Sequence, residues 1–235
     1  MWRERIWDRM VAEKVVGFPG AHGRIPNFVG AGDAATALAD LHEWRSASAI
    51  KANPDMPQLP VRARALADEI DLYMAVPRLR EPEPFLRLDP IALAEQSIKP
   101  RAAASIKGSS EHGVPVGLDA LPHIDLIVCG TVAVNRTGVR IGKGGGYSDL
   151  EFAISLEAGR IDDATTIVTT VHDVQVVDDD LPETEHDFRV DVIVTPTEVI
   201  RCERRPRPPG VIWSHLDEDK IAAIPVLSSR PEAHC

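Results

Sequence analysis

Cysteine is scarce in this sequence, which has three among its 235 residues: Cys129, Cys202 and Cys235. The number is odd, the spacing is wide and no two of them form a C-x-x-C pair, which excludes a disulfide framework and a zinc site of that type. A chain without a disulfide framework fits a reducing compartment, so we expect a cytoplasmic protein.

Long apolar runs are also lacking. None approaches the roughly 18 residues that a membrane-spanning helix needs, and the first residues lead into an amphipathic segment rather than the apolar core of a signal peptide. We therefore expect no membrane partner.

Positive charge is in deficit, with 26 Lys and Arg against 36 Asp and Glu and a formal net charge of -10. An acidic chain disfavours general nucleic-acid binding, so a nucleic-acid partner is not expected. One basic run, which prolines interrupt, indicates a solvated turn rather than an RNA-binding surface: Arg201, Arg204, Arg205 and Arg207.

Two spacings of apolar residues alternate along the chain. Helical spacing predicts helices over residues 2–16, 32–44, 61–69 and 150–158, and β-branched runs predict strands over 47–52, 71–76, 126–129, 166–171, 174–177 and 190–195. We expect residues 132–134 to extend the strand at 126–129, and the proline-rich segment 77–100 to be irregular, with a short helix at 91–96. Strands that alternate with helices predict a three-layer α/β/α sandwich with a central, mostly parallel, Rossmann-type sheet.

The length suits one domain. We expect a single α/β domain over residues 1–235, with an N-terminal helical region (1–45), a core (46–200) and a C-terminal extension (201–235). The sequence leaves the oligomeric state open, with a monomer slightly favoured.

The segment RIGKGGGYSD, residues 140–149, has the composition of a phosphate-binding loop. Four of the five residues from Gly142 to Gly146 are glycines, which allow backbone N–H groups to turn toward an anion. A predicted helix follows, whose N-terminus attracts negative charge, and Arg140 and Lys143 add full positive charges. Asp149 could hold Mg²⁺ beside a phosphate. The segment is neither a Walker A loop nor a full G-x-G-x-x-G motif, and a purely structural turn is the alternative.

The longer stretch VCGTVAVNRTGVRIGKGGGYSD, residues 128–149, resembles the signature of the 5-formyltetrahydrofolate cyclo-ligase family. A second mark of that family, an aspartate shortly before a late strand, is matched by EHDFRVDVIVT at residues 185–195. Further segments resemble the branch of the family called methenyltetrahydrofolate synthetase domain-containing: RIPNF (24–28), PVGLD (115–119), VHDVQVVD (171–178) and RPRPPG (205–210).

This resemblance implies an enzyme that uses ATP and Mg²⁺ to phosphorylate the formyl oxygen of 5-formyltetrahydrofolate, giving 5,10-methenyltetrahydrofolate. By position, it implies that ATP is bound by Arg3, Arg140, Gly142, Lys143, Gly144, Gly145, Gly146 and Tyr147. It implies catalytic roles for Lys143 and Tyr147, a magnesium site at Asp149 and Asp187, and contacts to the folate substrate from Tyr147, Lys51 and Asp55.

Three positions depart from the family's pattern. Trp7 stands where the N-terminal helix of the family has its second basic residue, and Ser148 replaces a second tyrosine. Asp55, which precedes Met56, is a shortened stand-in for a glutamate that contacts folate. A second hypothesis is therefore a protein that binds nucleotide but acts on another heterocycle or serves as a binding or regulatory module.

Other residues allow structural interpretations. His172 and Asp173 follow a predicted strand, where they form either a base at the carboxyl edge of the sheet or a hydrogen-bonded turn. Cys129 lies in an apolar run and is expected to be a small core residue rather than a nucleophile. The tryptophans are expected to anchor the core or an interface.

Overall fold

A computed structural model describes residues 1–230 of the chain; Cys235 and the end of the predicted C-terminal extension lie outside the described residues. The strands are β1 (Ala49–Ala52), β2 (Asp71–Ala75), β3 (Phe85–Leu88), β4 (Val114–Val116), β5 (Leu126–Cys129), β6 (Ala133–Asn135), β7 (Arg140–Ile141), β8 (Thr166–Thr170), β9 (Val176–Val177), β10 (Val192–Val194) and β11 (Val199–Arg201). The helices are α1 (Trp2–Ala12), α2 (Ala31–Ala39), α3 (His42–Arg45), α4 (Leu59–Ala67), α5 (Pro90–Glu95), α6 (Pro100–Ala103), α7 (Ile106–His112), α8 (Tyr147–Glu157), α9 (Glu218–Ala222) and α10 (Pro225–Ser228). None of these helices combines the length and apolarity that membrane crossing requires.

Eight strands form the main sheet in the order β11-β10-β8-β5-β1-β2-β3-β4. The five central strands from β10 to β2 pair in parallel, while β3, β4 and β11 add antiparallel edges. The predicted mostly parallel sheet is therefore confirmed. The edge strands were not predicted, and β3 lies inside the segment 77–100 that was expected to be irregular.

Apolar side chains of the central strands alternate between two faces of the sheet, as a strand requires. On β5, Leu126 and Val128 pack into a core shared with α1, α2 and α4. Ile127 and Cys129 point the other way, into a core shared with α8 and α10. Two cores on opposite faces of one sheet give the predicted three layers.

The chain leaves the main sheet at Gly130, so residues 132–134 do not extend β5 as expected. Strand β6 instead joins β7 and β9 in a separate three-stranded sheet. The prediction of a strand over residues 174–177 is also wrong in its first half, because residues 173–175 form a 3-10 turn. His172 caps that turn by accepting a hydrogen bond from Val174 N at 3.2 Å.

Helix boundaries differ from the predictions where the backbone takes a conformation that apolar spacing does not reveal. Helix α1 ends at Ala12, since Lys14 has a left-handed φ of 57°. The helix expected over 32–44 is divided into α2 and α3, because Leu41 is extended. Helix α8 begins three residues earlier than predicted, directly after Gly146.

Candidate functional site

The carboxyl ends of three parallel strands open into one cleft of about 440 Å³, called here the large cleft. Residues 53–55 follow β1, residues 76–78 follow β2 and Gly130 follows β5, and all of them line it. Ligands of open α/β sheets bind at this edge because the connections diverge there.

The glycine-rich loop of residues 142–146 joins β7 to α8 and forms the opposite wall of the large cleft. Gly144 and Gly146 have φ values of +108° and +66°, a region that favours glycine. Gly146 is the N-cap of α8, so the left-handed backbone there sets where the helix begins. The loop thus presents backbone at the positive end of an 11-residue helix.

Two arginines form hydrogen bonds at the two ends of this loop. Arg3 on α1 donates from Nε to the Gly142 carbonyl at 2.6 Å, and the Arg140 guanidinium donates to Asp149 Oδ1 at 2.5 Å. Burial by itself lowers the pKa of Arg140, but the charges of Asp149, Cys129 and Asp187 and the hydrogen bond to Asp149 together outweigh it and raise the pKa above its usual value. Arg140 is therefore a fully charged cation in the protein interior.

A second cavity, of about 280 Å³, lies on the α1 side of the loop and is called here the loop cavity. Asp187 accepts hydrogen bonds there from Thr184 N at 2.7 Å and Thr184 Oγ1 at 2.9 Å. Seven of the residues predicted for ATP or magnesium line this cavity: Arg3, Arg140, Gly142, Gly144, Gly146, Asp149 and Asp187. The structure therefore brings together residues from positions 3 to 187.

Other predicted site residues line the large cleft. Lys143 Nζ donates to Asp55 Oδ1 at 2.8 Å, which ties the glycine loop to the turn after β1. Gly145 and Tyr147 lie on the same wall. A Cβ on Gly130 would stand 3.1 Å from Asp55 Oδ2, so the absence of a side chain there makes room for this carboxylate.

Lys51 lies deeper than a direct substrate contact would require. Its side chain is buried in β1 and donates to Glu151 Oε2 on α8 and, at 3.3 Å, to Asn53 Oδ1. Asn53 in turn donates to Ser148 Oγ at 3.3 Å. The serine that replaces the family's second tyrosine therefore belongs to a polar cluster below the cleft.

Sequence reasoning missed Arg62 on α4, which holds the turn after β1. Its guanidinium donates to the carbonyls of Asn53 at 2.5 Å, Asp55 at 2.9 Å and Ala104 at 2.9 Å. Burial lowers its pKa to about 10, so it stays charged at neutral pH. An arginine in a helical segment usually reads as an exposed residue, and the sequence carries no signal that distinguishes this one.

It also missed a contribution from the C-terminal segment. Lys220 on α9 donates to the Gly145 carbonyl at 3.2 Å, and its amine lies 5.3 Å from the centre of the Tyr147 ring. Residues 210–216 and Lys220 enclose a third cavity against the glycine loop and α8. The predicted C-terminal extension thus forms part of the site's surroundings.

Several residues for which the sequence allowed both a functional and a structural role have structural roles in the fold. Asp173 accepts hydrogen bonds from Thr195 at 2.6 Å and from Thr197, which favours the turn interpretation of His172 and Asp173. Cys129 is fully buried and burial raises the pKa of its thiol, as a core residue requires. In the basic run, the side chain of Arg207 is only 8% exposed and donates to Asp191 at 2.7 Å rather than facing solvent.

Comparison with known proteins shows which sequence family the chain resembles. The model of the 5-formyltetrahydrofolate cyclo-ligase family matches residues 4–196. The chain is 43% identical over 235 residues to a mouse methenyltetrahydrofolate synthase domain-containing protein, covering 98% of this chain and 62% of the relative. It is 40% identical over 232 residues to the human protein of the same name, covering 97% of this chain and 60% of the relative. The chain thus spans about three fifths of the length of these relatives.

A solved structure supports the fold. The 5,10-methenyltetrahydrofolate synthetase of Aquifex aeolicus matches with a TM-score of 0.53 and 19% sequence identity, over 92% of this chain and all of that chain. Lys220 and residues 210–216, which close one side of the third cavity, lie beyond the family match, which ends at residue 196. The family match over residues 4–196 includes the glycine loop, which lines both the large cleft and the loop cavity. The chain therefore belongs to the 5-formyltetrahydrofolate cyclo-ligase family.

Proposed function

We propose that the protein is an ATP- and Mg²⁺-dependent enzyme that cyclises 5-formyltetrahydrofolate to 5,10-methenyltetrahydrofolate. The observation that carries the proposal is the position of the glycine loop, which forms a wall of both the loop cavity and the large cleft. A phosphoryl donor on one side of this loop could then reach an acceptor on the other. Membership of the cyclo-ligase family supports the choice of substrates.

The loop cavity has the features that a triphosphate needs. Arg3 and Arg140 supply positive charge, and Gly144 and Gly146 allow close approach of the backbone. Arg140 Nε is buried and finds no hydrogen-bond partner among the described residues. A buried donor without a partner is costly, and a phosphate oxygen would satisfy it if the Arg140 side chain, which lines the loop cavity, turned this enclosed atom toward the ligand.

The two predicted magnesium carboxylates, Asp149 and Asp187, line the same cavity. Residues 1–230 contain no group of three or more side chains arranged to hold a metal ion. Protein sites hold Mg²⁺ through one or two carboxylates together with substrate phosphates and water, so two carboxylates are enough for the proposed ion. Asp149 and Asp187 would hold the ion, and its charge would offset that of the phosphates.

In the proposed reaction the formyl oxygen attacks the γ-phosphorus and ADP leaves, N10 then attacks the formyl carbon, and phosphate leaves with the former formyl oxygen while N10 loses its proton. The residues bind and orient these groups, which is the main source of catalysis in phosphoryl transfer. Lys143 would stabilise negative charge at the transferred group. Tyr147 would pack its ring against the heterocycle, while Asp55 would hold the Lys143 amine at the cleft.

A second candidate is a nucleotide-binding module that lacks the cyclisation step. The observation that favours it is Trp7, which stands at the family's second basic position. Its side chain is buried and its indole Nε1 donates to the Arg24 carbonyl at 3.1 Å, so it brings no charge to a phosphate. This candidate predicts ATP binding without a folate product.

The deciding experiment mixes the protein with MgATP and 5-formyltetrahydrofolate and follows the absorbance of 5,10-methenyltetrahydrofolate together with ADP release. We expect product only when ATP, Mg²⁺ and the folate are all present, with one ADP for each product. ATP binding without product formation would overturn the proposal in favour of the second candidate.

A further inference from the structure

A buried ion pair lies at the base of the large cleft and has no role in the chemistry described above. Lys51 on the central strand β1 and Glu151 on α8 have side chains that are 7% and 6% exposed and form a direct salt bridge. With Asn53 and Ser148 they form what we call the base cluster.

Stability does not account for this pair. Removing two charges from water costs several kcal/mol per ion, and apolar residues of similar volume often stabilise a core equally well or better. Neighbours of the pair in sequence include the buried apolar residues Ile50 on β1 and Phe152 on α8. A charge kept in such a place suggests a task outside folding.

The two oxygens of Glu151 have different surroundings. Oε2 accepts the hydrogen bond from Lys51. Oε1 accepts no hydrogen bond from any side chain or backbone group in residues 1–230, although Glu151 lines the large cleft. It is not among the fully enclosed atoms that lack partners, so it borders open space. One oxygen of the carboxylate is thus paired with Lys51, while the other is an unused acceptor in a residue that lines the large cleft.

The cleft's walls restrict what can reach this acceptor. Apolar groups of Ile25, Ala75, Val76 and Pro77 line it, and Tyr147 lies on the loop side. Apolar walls with a small number of polar groups, of which Glu151 lies at the base, are typical of a site for a flat ring whose edge carries hydrogen-bond donors. A carboxylate oxygen favours N–H donors over ring carbonyls, which it would repel.

We propose that Glu151 is the specificity-determining residue of the large cleft, accepting a hydrogen bond from the amino group of an amino-pyrimidinone ring such as that of a pterin, and that Lys51 is its positioning residue. This inference rests on the proposed function. It adds that the amino group of the pterin ring is the part of the substrate that Glu151 recognises. Ser148 leaves space above the cluster that a second tyrosine would fill.

The test compares two ligands by calorimetry without ATP, so that no turnover occurs. One is 5-formyltetrahydrofolate, and the other is its 2-desamino-2-methyl analogue, which lacks the exocyclic amino group. We expect the wild-type protein to bind the analogue about 10- to 100-fold more weakly, because a hydrogen bond to a charged acceptor is lost. The exposed Glu95→Gln variant on α5 is the control and should discriminate as the wild type does.

Two variants remove the acceptor. Glu151→Gln keeps the shape and should reduce the discrimination between the ligands to about 3-fold or less, as expected when only a neutral hydrogen bond remains. The double variant Lys51→Met, Glu151→Met removes both charges, so that no unpaired charge stays buried. Thermal unfolding serves to check that this variant folds. We expect the double variant to bind the two ligands equally, an effect that a merely structural pair would not produce.

The possible outcomes separate this inference from the proposed function. Amino-dependent binding that Glu151 controls, without product from MgATP, would support the inference and overturn the cyclisation. Equal binding of both ligands by the wild type, or unchanged discrimination in the folded double variant, would overturn the inference even if product forms. A wild-type protein that binds neither ligand would overturn both.

Discussion

Lys143 and Asp55, 88 positions apart in the sequence, are joined by a 2.8 Å hydrogen bond from the lysine amine to Oδ1. The contact links the glycine loop to the carboxyl end of β1, where the sheet opens. The lysine side chain remains half exposed while the aspartate is mostly buried. Asp55 therefore holds the half-exposed Lys143 amine at the large cleft.

Replacing Lys143 by alanine should remove a charge that stabilises the transferred phosphoryl group. We expect kcat/KM for ATP-dependent product formation to fall about 100-fold, a typical cost of one electrostatic contact to a transition state. Thermal unfolding should be almost unchanged, because half-exposed ion pairs contribute little to stability. The matched control is Lys99→Ala at an exposed position outside both cavities. Equal activity in the two variants would remove Lys143 from the mechanism.

Gly146 sets the start of α8, and its left-handed φ of +66° makes any other residue costly. Gly146→Ala should lower the free energy of unfolding by about 1–2 kcal/mol. The new Cβ would also stand 3.1 Å from Lys220 Nζ, so ATP binding should weaken as the loop shifts.

The control for that variant is Gly32→Ala in α2, where a Cβ meets nothing within 4 Å. Alanine in a helix stabilises by about 0.5–1 kcal/mol relative to glycine. Urea unfolding should therefore move the two variants in opposite directions. A stabilised Gly146→Ala protein would contradict the backbone account of the loop.

Lys51→Met alone should leave Glu151 buried without its partner. Breaking one half of a buried ion pair costs about 3–5 kcal/mol, a large part of the stability of a typical domain. Urea unfolding at neutral pH should show this loss, and the double variant with Glu151→Met should recover most of it. A single variant as stable as the double variant would contradict this account of the buried ion pair.

Asp173 predicts a pH dependence of stability. Burial alone would raise its pKa, but the hydrogen bonds from Thr195 and Thr197 outweigh burial and lower the pKa below 3.8. A carboxyl with a lowered folded-state pKa stabilises the fold above its unfolded pKa, and this contribution is lost as the pH falls through the folded-state pKa.

Asp173→Asn should therefore cost about 1–2 kcal/mol at pH 7, and the difference from wild type should shrink as the pH falls below 3.8. Asp180→Asn, at an exposed position, is the control and should track the wild type throughout. A gap that stays constant down to the lowest pH at which the protein folds would contradict these hydrogen bonds.

The sequence predicts the parallel centre of the sheet well, because buried strands such as β5 are continuous apolar runs with turns at both ends. It does not predict β3, β4 or β11. These antiparallel edges are short, and β3 lies in a proline-rich segment whose composition suggests a loop. Pairing with β2 overrides that local tendency, and pairing is not visible in a single sequence.

The glycine loop could be predicted from the sequence for a different reason. Its glycines and the neighbouring cations lie close together in the chain, so the pattern is local. The resemblance adds Arg3 and Asp187, which the fold places in the loop cavity. Arg62, Lys220 and Glu151 could not be predicted. Each is a charged residue in a helix. Only the tertiary packing places Arg62 against the turn after β1, Lys220 against the glycine loop and Glu151 at the base of the large cleft.

The central claim is that the formyl oxygen is activated by transfer of the γ-phosphoryl group, and an isotope measurement tests it most directly. The protein is incubated with MgATP and 5-formyltetrahydrofolate carrying ¹⁸O in the formyl group, and the released phosphate is analysed by mass spectrometry. The account predicts one ¹⁸O atom in each phosphate, with equal amounts of 5,10-methenyltetrahydrofolate. Phosphate without the label, released by water alone, would show that this chain hydrolyses ATP without activating the folate.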